Sequence, residues 1–288
     1  MTSCSTAKWG TEMDAWSVFA AILLNAVLLA VIVFLLRLWR KRQPMTGARL
    51  RKAAEKAAQP VPEAPFAGNF VRMRALLEAL DGNVPDERTV TALLLGWAAE
   101  GQIRLCETDK KRLKSFGAER QATVCFPDDE EHPFTPAGEG AEALLLGLLY
   151  GWADETATLQ ESELYNLARE YDGAVRGRLE QFRTQGKHGL RAAGAMLPEK
   201  KTRRFGFVDE NRPVYTPRGV REAAKLLGYR TWLRTQDTLP PGKWRDAALL
   251  HGTQGIPQAV EEKQFRLAQT LAKALTGGAK AGEKIKHV

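Results

Sequence analysis

The longest apolar stretch runs from Ala15 to Leu38, AWSVFAAILLNAVLLAVIVFLLRL, and Arg37 is its first charged residue. A helix of about 20 such residues spans a bilayer core, so the pattern predicts a transmembrane helix over 15–38. Ser17 and Asn25 interrupt the run without breaking it, because a helix satisfies its own backbone. Asn25 is the candidate for a helix–helix contact. No small-residue cleavage pattern follows, and RLWRKR reads as a stop-transfer block rather than the end of a signal peptide. Trp16 and Trp39 flank the run, where interfacial aromatics belong.

Beyond Gly68 the pattern turns periodic. Phe70, Met73, Leu76, Leu77 and Leu80 recur at helical spacing, and DGN stops that helix. Pro85 and Asp86 open a second helix, PDERTVTALLLGWAAEG. Ile103 and Leu105, then Ala122–Phe126, alternate as two strands of a hairpin. EGAEALLLGLLYGW is an apolar helix; Leu159, Leu164 and Leu167 face inward from the next segment. Val175, Leu179 and Phe182 are helically spaced, and Phe205–Val208 and Val214–Tyr215 flank DENR as a second hairpin. Thr216-Pro217 then starts VREAAKLLGYRTWLRT. Val260, Leu267, Leu271 and Leu275 stripe an amphipathic helix over 258–275, and GGAKAGEKIKHV reads as a disordered basic tail.

The chain repeats itself at low identity. VTALLLGWAAEGQIRL from Val90 parallels VRGRLEQFRTQGKHGL from Val175, matching Gly101 to Gly186. FTPAGEGAEALLLG from Phe134 parallels YTPRGVREAAKLLG from Tyr215. The expected class is mostly helical α+β: one N-terminal transmembrane helix, then two winged-helix-like units with β-hairpins. The expected order is a short extracytoplasmic N-terminus (1–14), the span (15–38), and a basic segment with a Pro-rich linker (39–68). The two units follow at 69–134 and 135–257, then the amphipathic helix and the tail (276–288).

Charge changes this picture in two places. The net charge is +8, and residues 37–56 alone carry +7. Arg37, Arg40, Lys41, Arg42, Arg49, Arg51 and Lys52 form a basic cluster expected to face the anionic inner leaflet of a bilayer. The positive-inside rule puts the N-terminus outside and the rest in the cytoplasm of an inner-membrane, single-pass protein. Further on, residues 57–174 sum to −11 and residues 175–234 to +10. Either the halves complement each other, or the basic half meets an external polyanion.

The segments VTALLLGWAAEGQIRL, TPRG, KLLGYRTWLRT and KWRDAALLHGTQG resemble the cytoplasmic part of the YciQ-like predicted membrane proteins, a bacterial family without settled function. The resemblance covers about residues 85–258 and implies no catalytic motif. AALLHGTQG departs from the family's last motif, and the family's large extracytoplasmic β-domain has no counterpart before the span.

Chemistry is sparse. His132, His188, His251 and His287 lack ligand spacing, so no zinc site is expected. Cys106 and Cys125 form no C-x-x-C pair and read as reduced strand or core residues. No apolar run precedes Cys4, which excludes a lipoprotein. Pro240-Pro-Gly-Lys-Trp244 has the Gly-Lys of a phosphate loop without its other residues. Asp128–Glu131 reads as a solvated acidic loop. No cofactor or enzyme motif is found. Arg176, Arg178 and Arg183, with Lys200, Lys201, Arg203 and Arg204, are candidate contacts to phosphate or to a partner. The expectation is a protein-interaction or scaffolding module, with a membrane-tethered DNA-binding regulator as the alternative.

Overall fold

The computed structural model describes residues 15–42, 45–109, 120–127, 134–136, 140–198, 203–204, 207–208, 213–252 and 262–286. For 15–21, 37–42, 109, 203–204, 207–208 and 284–286 it describes backbone alone. The chain forms two units, divided between Pro44 and Met45.

The first unit contains α1 (Ala15–Arg42). Its large side chains over 22–36 are all exposed, from Ile22 to Leu36. Among the described residues no helix is long and apolar enough to cross a membrane. This corrects the expected transmembrane helix. The single-pass topology, the membrane location and the inside–outside assignment lose their premise with it.

The second unit begins with α2 (Gly47–Ala57), which buries Leu50 and Ala54 against α8. α3 (Phe70–Asp81) buries the five predicted positions and ends at Gly82, whose φ of 83° is the left-handed stop that glycine favours. α4 (Asp86–Ala99) is buried continuously from Thr89 to Trp97, between α9 and α10. Strands β1 (Arg104–Asp109) and β2 (Arg120–Cys125) pair with Leu105 opposite Val124. α5 (Ala141–Tyr150), β3 (Thr158–Gln160), α6 (Glu161–Glu170) and α7 (Asp172–Ala192) follow. A capping box between Gln160 and Glu163 starts α6. Then come β4 (Met196–Leu197), the pair β5 (Arg203–Arg204) and β6 (Phe207–Val208), and β7 (Val214–Tyr215). α8 (Pro217–Arg234) starts where Thr216 Oγ1 accepts the Gly219 N–H at 3.2 Å. α9 (Trp244–His251) and α10 (Glu262–Lys286) complete the unit.

The repeat is visible in these elements, but its register differs from the sequence alignment. At the end of α4 the Gln102 N–H donates to Trp97 O and the Gly101 N–H to Ala98 O. At the end of α7 the Ala195 N–H donates to Leu190 O and the Gly194 N–H to Arg191 O. Both glycines have positive φ. Gly101 therefore corresponds to Gly194. Gly186 lies inside α7, where a Cβ would crowd Val71 O and the Ala75 methyl.

The two expected winged-helix-like units are not separate bodies. β3, which leads into α6 of the second half, pairs with β2 of the first. Met45, which leads into α2 of the first half, bridges Tyr215 of β7 in the second. Each half thus completes the other's sheet. α3 packs on α7 and α2 on α8 across the same seam. The expected boundary near Gly68 is likewise absent: the Pro-rich segment lies along α8, where a Cβ at Gly228 would overlap the Gln59 carbonyl.

The expected disordered tail is helical as far as Lys286. Glycine inside a helix costs about 1 kcal/mol relative to alanine. Close packing offsets that here, since a Cβ at Gly278 or Gly282 would overlap Tyr165 O or Arg169 O of α6.

Candidate functional site

The Pro-rich strap ends in a turn with unusual backbone. Phe66 (φ 52°), Ala67 (φ 53°) and Gly68 (φ 79°) are successive left-handed residues. Only glycine adopts this region freely, and the two others cost about 1–3 kcal/mol each. The Phe66 N–H donates to Glu222 Oε2 of α8 at 3.2 Å, and the Asn69 N–H to Phe66 O. Asn69 Oδ1 then caps α3 by accepting the Arg72 N–H at 3.0 Å.

This turn walls a cleft of about 920 Å³. Arg218, Glu222 and Lys225 line it from one face of α8, and Arg72 from the first turn of α3. Gly242 and Lys243 come from the turn before α9, and Arg245 and Asp246 from its first turn.

The floor is a buried hydrogen bond. Tyr229 Oη donates to Asp246 Oδ2 at 2.7 Å, and Asp246 is 8% exposed. Burial raises the Asp246 carboxyl above its ordinary range, against the opposing pull of Tyr229, Lys243 and Arg245. Burial likewise pushes the Tyr229 phenol up, and the Asp246 charge adds to it. Lys243 Nζ lies 5.2 Å from the centroid of the same ring, a cation–π contact.

Arg245 closes one end of the cleft. Its guanidinium lies 4.4 Å from the Phe70 ring centroid and 2.8 Å from Glu142 Oε1, with Glu100 at 3.6 Å. Gly96 makes room for the arginine stem, because a Cβ there would come within 2.6 Å of Arg245 Cδ. Burial raises the Glu142 carboxyl, and Arg245 works against that shift.

The carboxylates of the cleft are mostly committed: Glu222 to a backbone N–H, Asp246 to Tyr229, Glu100 to Arg245. Arg72, Arg218 and Lys225 make no ion pair with a described carboxylate. The cleft therefore offers cations to whatever enters it. Its lining contains no Ser, Thr, Cys or His. No group of three or more metal-ligating side chains occurs among the described residues.

None of the sequence-predicted contact residues whose side chains are described lines the cleft. Arg176 pairs with Asp172 at 2.5 Å and with Glu283 of α10 at 2.7 Å. Arg183 pairs with Asp86 and Glu180, and Arg178 reaches Gln181 Oε1 at 3.4 Å. Arg176 and Arg183 thus serve contacts within the chain. Lys200, Lys201 and Asp128–Glu131 lie outside the described residues, as do the side chains of Arg203 and Arg204. Asn25 is exposed on α1. Of the basic cluster, Arg49, Arg51 and Lys52 sit on the exposed face of α2, with Arg51 paired to Glu55 at 2.9 Å. The side chains of Arg37, Arg40, Lys41 and Arg42 are outside the described residues. The Pro240–Trp244 segment forms a short turn that delivers Lys243 to the cleft, not a phosphate loop.

Sequence reasoning missed Arg72, Arg218, Lys225 and Asp246. Arg218 and Lys225 are spaced to share a helix face, which is a signal. Nothing local ties them to Arg72. No family model, curated protein or solved structure matches the chain.

Proposed function

We propose that the second unit is a protein-interaction module whose cleft receives an acidic segment of a partner protein. The observation that carries this reading is the set Arg72, Arg218 and Lys225, which pairs with no described carboxylate, around a cleft whose own carboxylates are mostly engaged. Complementary charge at such a surface speeds encounter and selects partners. A held, left-handed turn at its rim gives the cleft a fixed wall on which a peptide can lie.

The nucleic-acid reading is weaker. Two of the arginines that suggested it, Arg176 and Arg183, are spent on Asp86, Asp172 and Glu283.

Fluorescence anisotropy of a labelled peptide of alternating Glu and Gly tests the proposal, with random duplex DNA as the competing arm. The peptide is expected to bind, and Arg218→Glu with Lys225→Glu to weaken it about tenfold or more. Both side chains are exposed, so the fold should survive. Equal binding by the variant, or no binding by either protein, would overturn the reading. Duplex binding that the same variant abolishes would transfer the cleft to nucleic acid.

A further inference from the structure

Cys106 of β1 and Cys125 of β2 lie on one face of the hairpin, because Cys106 stands opposite Thr123, two residues before Cys125. That face is polar. Thr108 Oγ1 and Thr123 Oγ1 are 2.6 Å apart on it, and Ser162 Oγ donates to Gln121 Oε1 at 3.1 Å. The apolar core receives the other face, through Leu105 and Val124. Both cysteines are free thiols and keep part of their surface exposed. They are therefore not core residues, and a small molecule can reach them. Neither lines the cleft.

Their sulfurs are 2.6 Å apart. A disulfide needs about 2.05 Å, so each sulfur has a few tenths of an ångström to travel. The two thiols differ in reactivity. Burial first, and then Cys106, keeps the Cys125 thiol protonated far above the ordinary thiol range. Thiolate is the attacking species in thiol–disulfide exchange. At neutral pH the first attack therefore falls to Cys106.

We propose that Cys106 and Cys125 form a redox-active dithiol that small-molecule disulfides oxidise reversibly. Cys106 loses its proton, and its thiolate attacks one sulfur of the disulfide. That S–S bond breaks, one half leaves as a thiolate, and the other stays on Cys106 as a mixed disulfide. Cys125 then gives up its proton, attacks Cys106 Sγ and expels the second half. Two electrons pass from the chain to the small disulfide, and the two protons end on the thiols it becomes. Cys125 resolves the mixed disulfide despite its reluctance to ionise, because it is already held against the sulfur that it attacks.

The test uses the full chain with Cys4→Ser, which leaves Cys106 and Cys125 as its thiols. It is incubated with glutathione disulfide at neutral pH and followed by intact mass. The expected product is the intramolecular disulfide with no glutathione attached, and dithiothreitol should restore both thiols. Adding Cys125→Ser is expected to stop the reaction at the mixed disulfide on Cys106. Adding Cys106→Ser instead should slow mixed-disulfide formation by about tenfold or more, since burial still acts on Cys125. Two unrelated strand cysteines would each take up glutathione at similar rates. Persistence of both thiols in the Cys4→Ser chain, or equal rates in the two further variants, would overturn the proposal.

Discussion

Arg183 of α7 donates through Nη2 to both carboxylate oxygens of Asp86, each at 2.9 Å. Asp86 also lies 3.6 Å from Nη2 of Arg74, which is 1% exposed and donates to Thr89 Oγ1 and Glu78 Oε2 at 2.9 Å. One carboxylate therefore joins the acidic first half to the basic second half and helps neutralise a buried guanidinium. The opposite charges of the halves are in part an internal match. Arg230 with Asp81 repeats the pattern.

Asp86→Ala and Arg183→Ala should accordingly differ in cost. Arg183 is partly exposed, so its loss is worth about 1 kcal/mol or less. Loss of Asp86 leaves Arg74 buried with Glu78 alone and is expected to cost about 2–3 kcal/mol. Urea unfolding of the two single variants and the double gives both values and their coupling. Equal costs would mean that Asp86 does nothing for Arg74.

Glycines in two helices should respond oppositely to the same change. At Gly282 a Cβ overlaps Arg169 O and stands 2.8 Å from Asp172 Cβ. Gly282→Ala is expected to destabilise by about 1–3 kcal/mol through overpacking, despite alanine's better helix propensity. At Gly177, exposed on α7, a Cβ meets nothing within 4 Å. Gly177→Ala is expected to stabilise by about 0.5–1 kcal/mol. Thermal midpoints moving the same way in both variants would refute close packing of α10 on α6.

How much of this was legible follows from the range of each interaction. The spacing of Phe70 to Leu80 and of Val175 to Phe182 revealed α3 and α7, because helix burial is local. Alternation at Ile103–Leu105 and Ala122–Phe126 revealed β1 and β2. The pairing of β3 with β2, and of Met45 with Tyr215, left no local trace. The halves therefore read as separate units. The glycines of GGAKAG look like breakers until Tyr165 O and Arg169 O are seen beneath them. The cleft was hidden for the same reason: Arg72 and Lys225 meet only through the packing of α2, α3 and α8.

Cys106 and Cys125 read as separate strand or core residues in the sequence because no short motif joins them. Antiparallel pairing places Cys106 opposite Thr123, and Cys125 two residues further along the same face. Their sulfurs are 2.6 Å apart. Burial first, and then Cys106, pushes the Cys125 thiol up to about 12. Thiolate is the reactive form, so Cys125 should alkylate slowly with iodoacetamide at neutral pH. A diazene oxidant such as diamide should instead join the pair as an intramolecular disulfide, with loss of two protons and two electrons. Thiol titration and intact mass are expected to show two thiols lost per chain without dimer. The bond closes a loop of about 20 residues and should stabilise by about 3 kcal/mol. Persistence of both thiols under diamide would mean that the hairpin holds the sulfurs apart.

His251 should give the second unit a pH dependence that surface histidines do not. Its folded value near 4 lies below the ordinary 6.5, because burial and the charges of Arg234, Arg230 and Arg88 oppose a further cation. Between those values the unfolded chain binds the proton and the folded chain does not. Stability is therefore full above about pH 6.5 and falls with pH toward 4, by roughly 2–3 kcal/mol in all. Asp246 and Glu142 act in the opposite sense at the acid end, since their folded carboxyls are raised and protonation favours the fold. The comparison is cleanest from pH 7.5 down to about 5.5, in chloride buffer, where carboxylates contribute little. Over that window urea midpoints of the wild type should decline, and those of His251→Asn, which keeps an acceptor for Arg234 but cannot titrate, should stay nearly level. Parallel decline in both proteins would place the titrating group elsewhere.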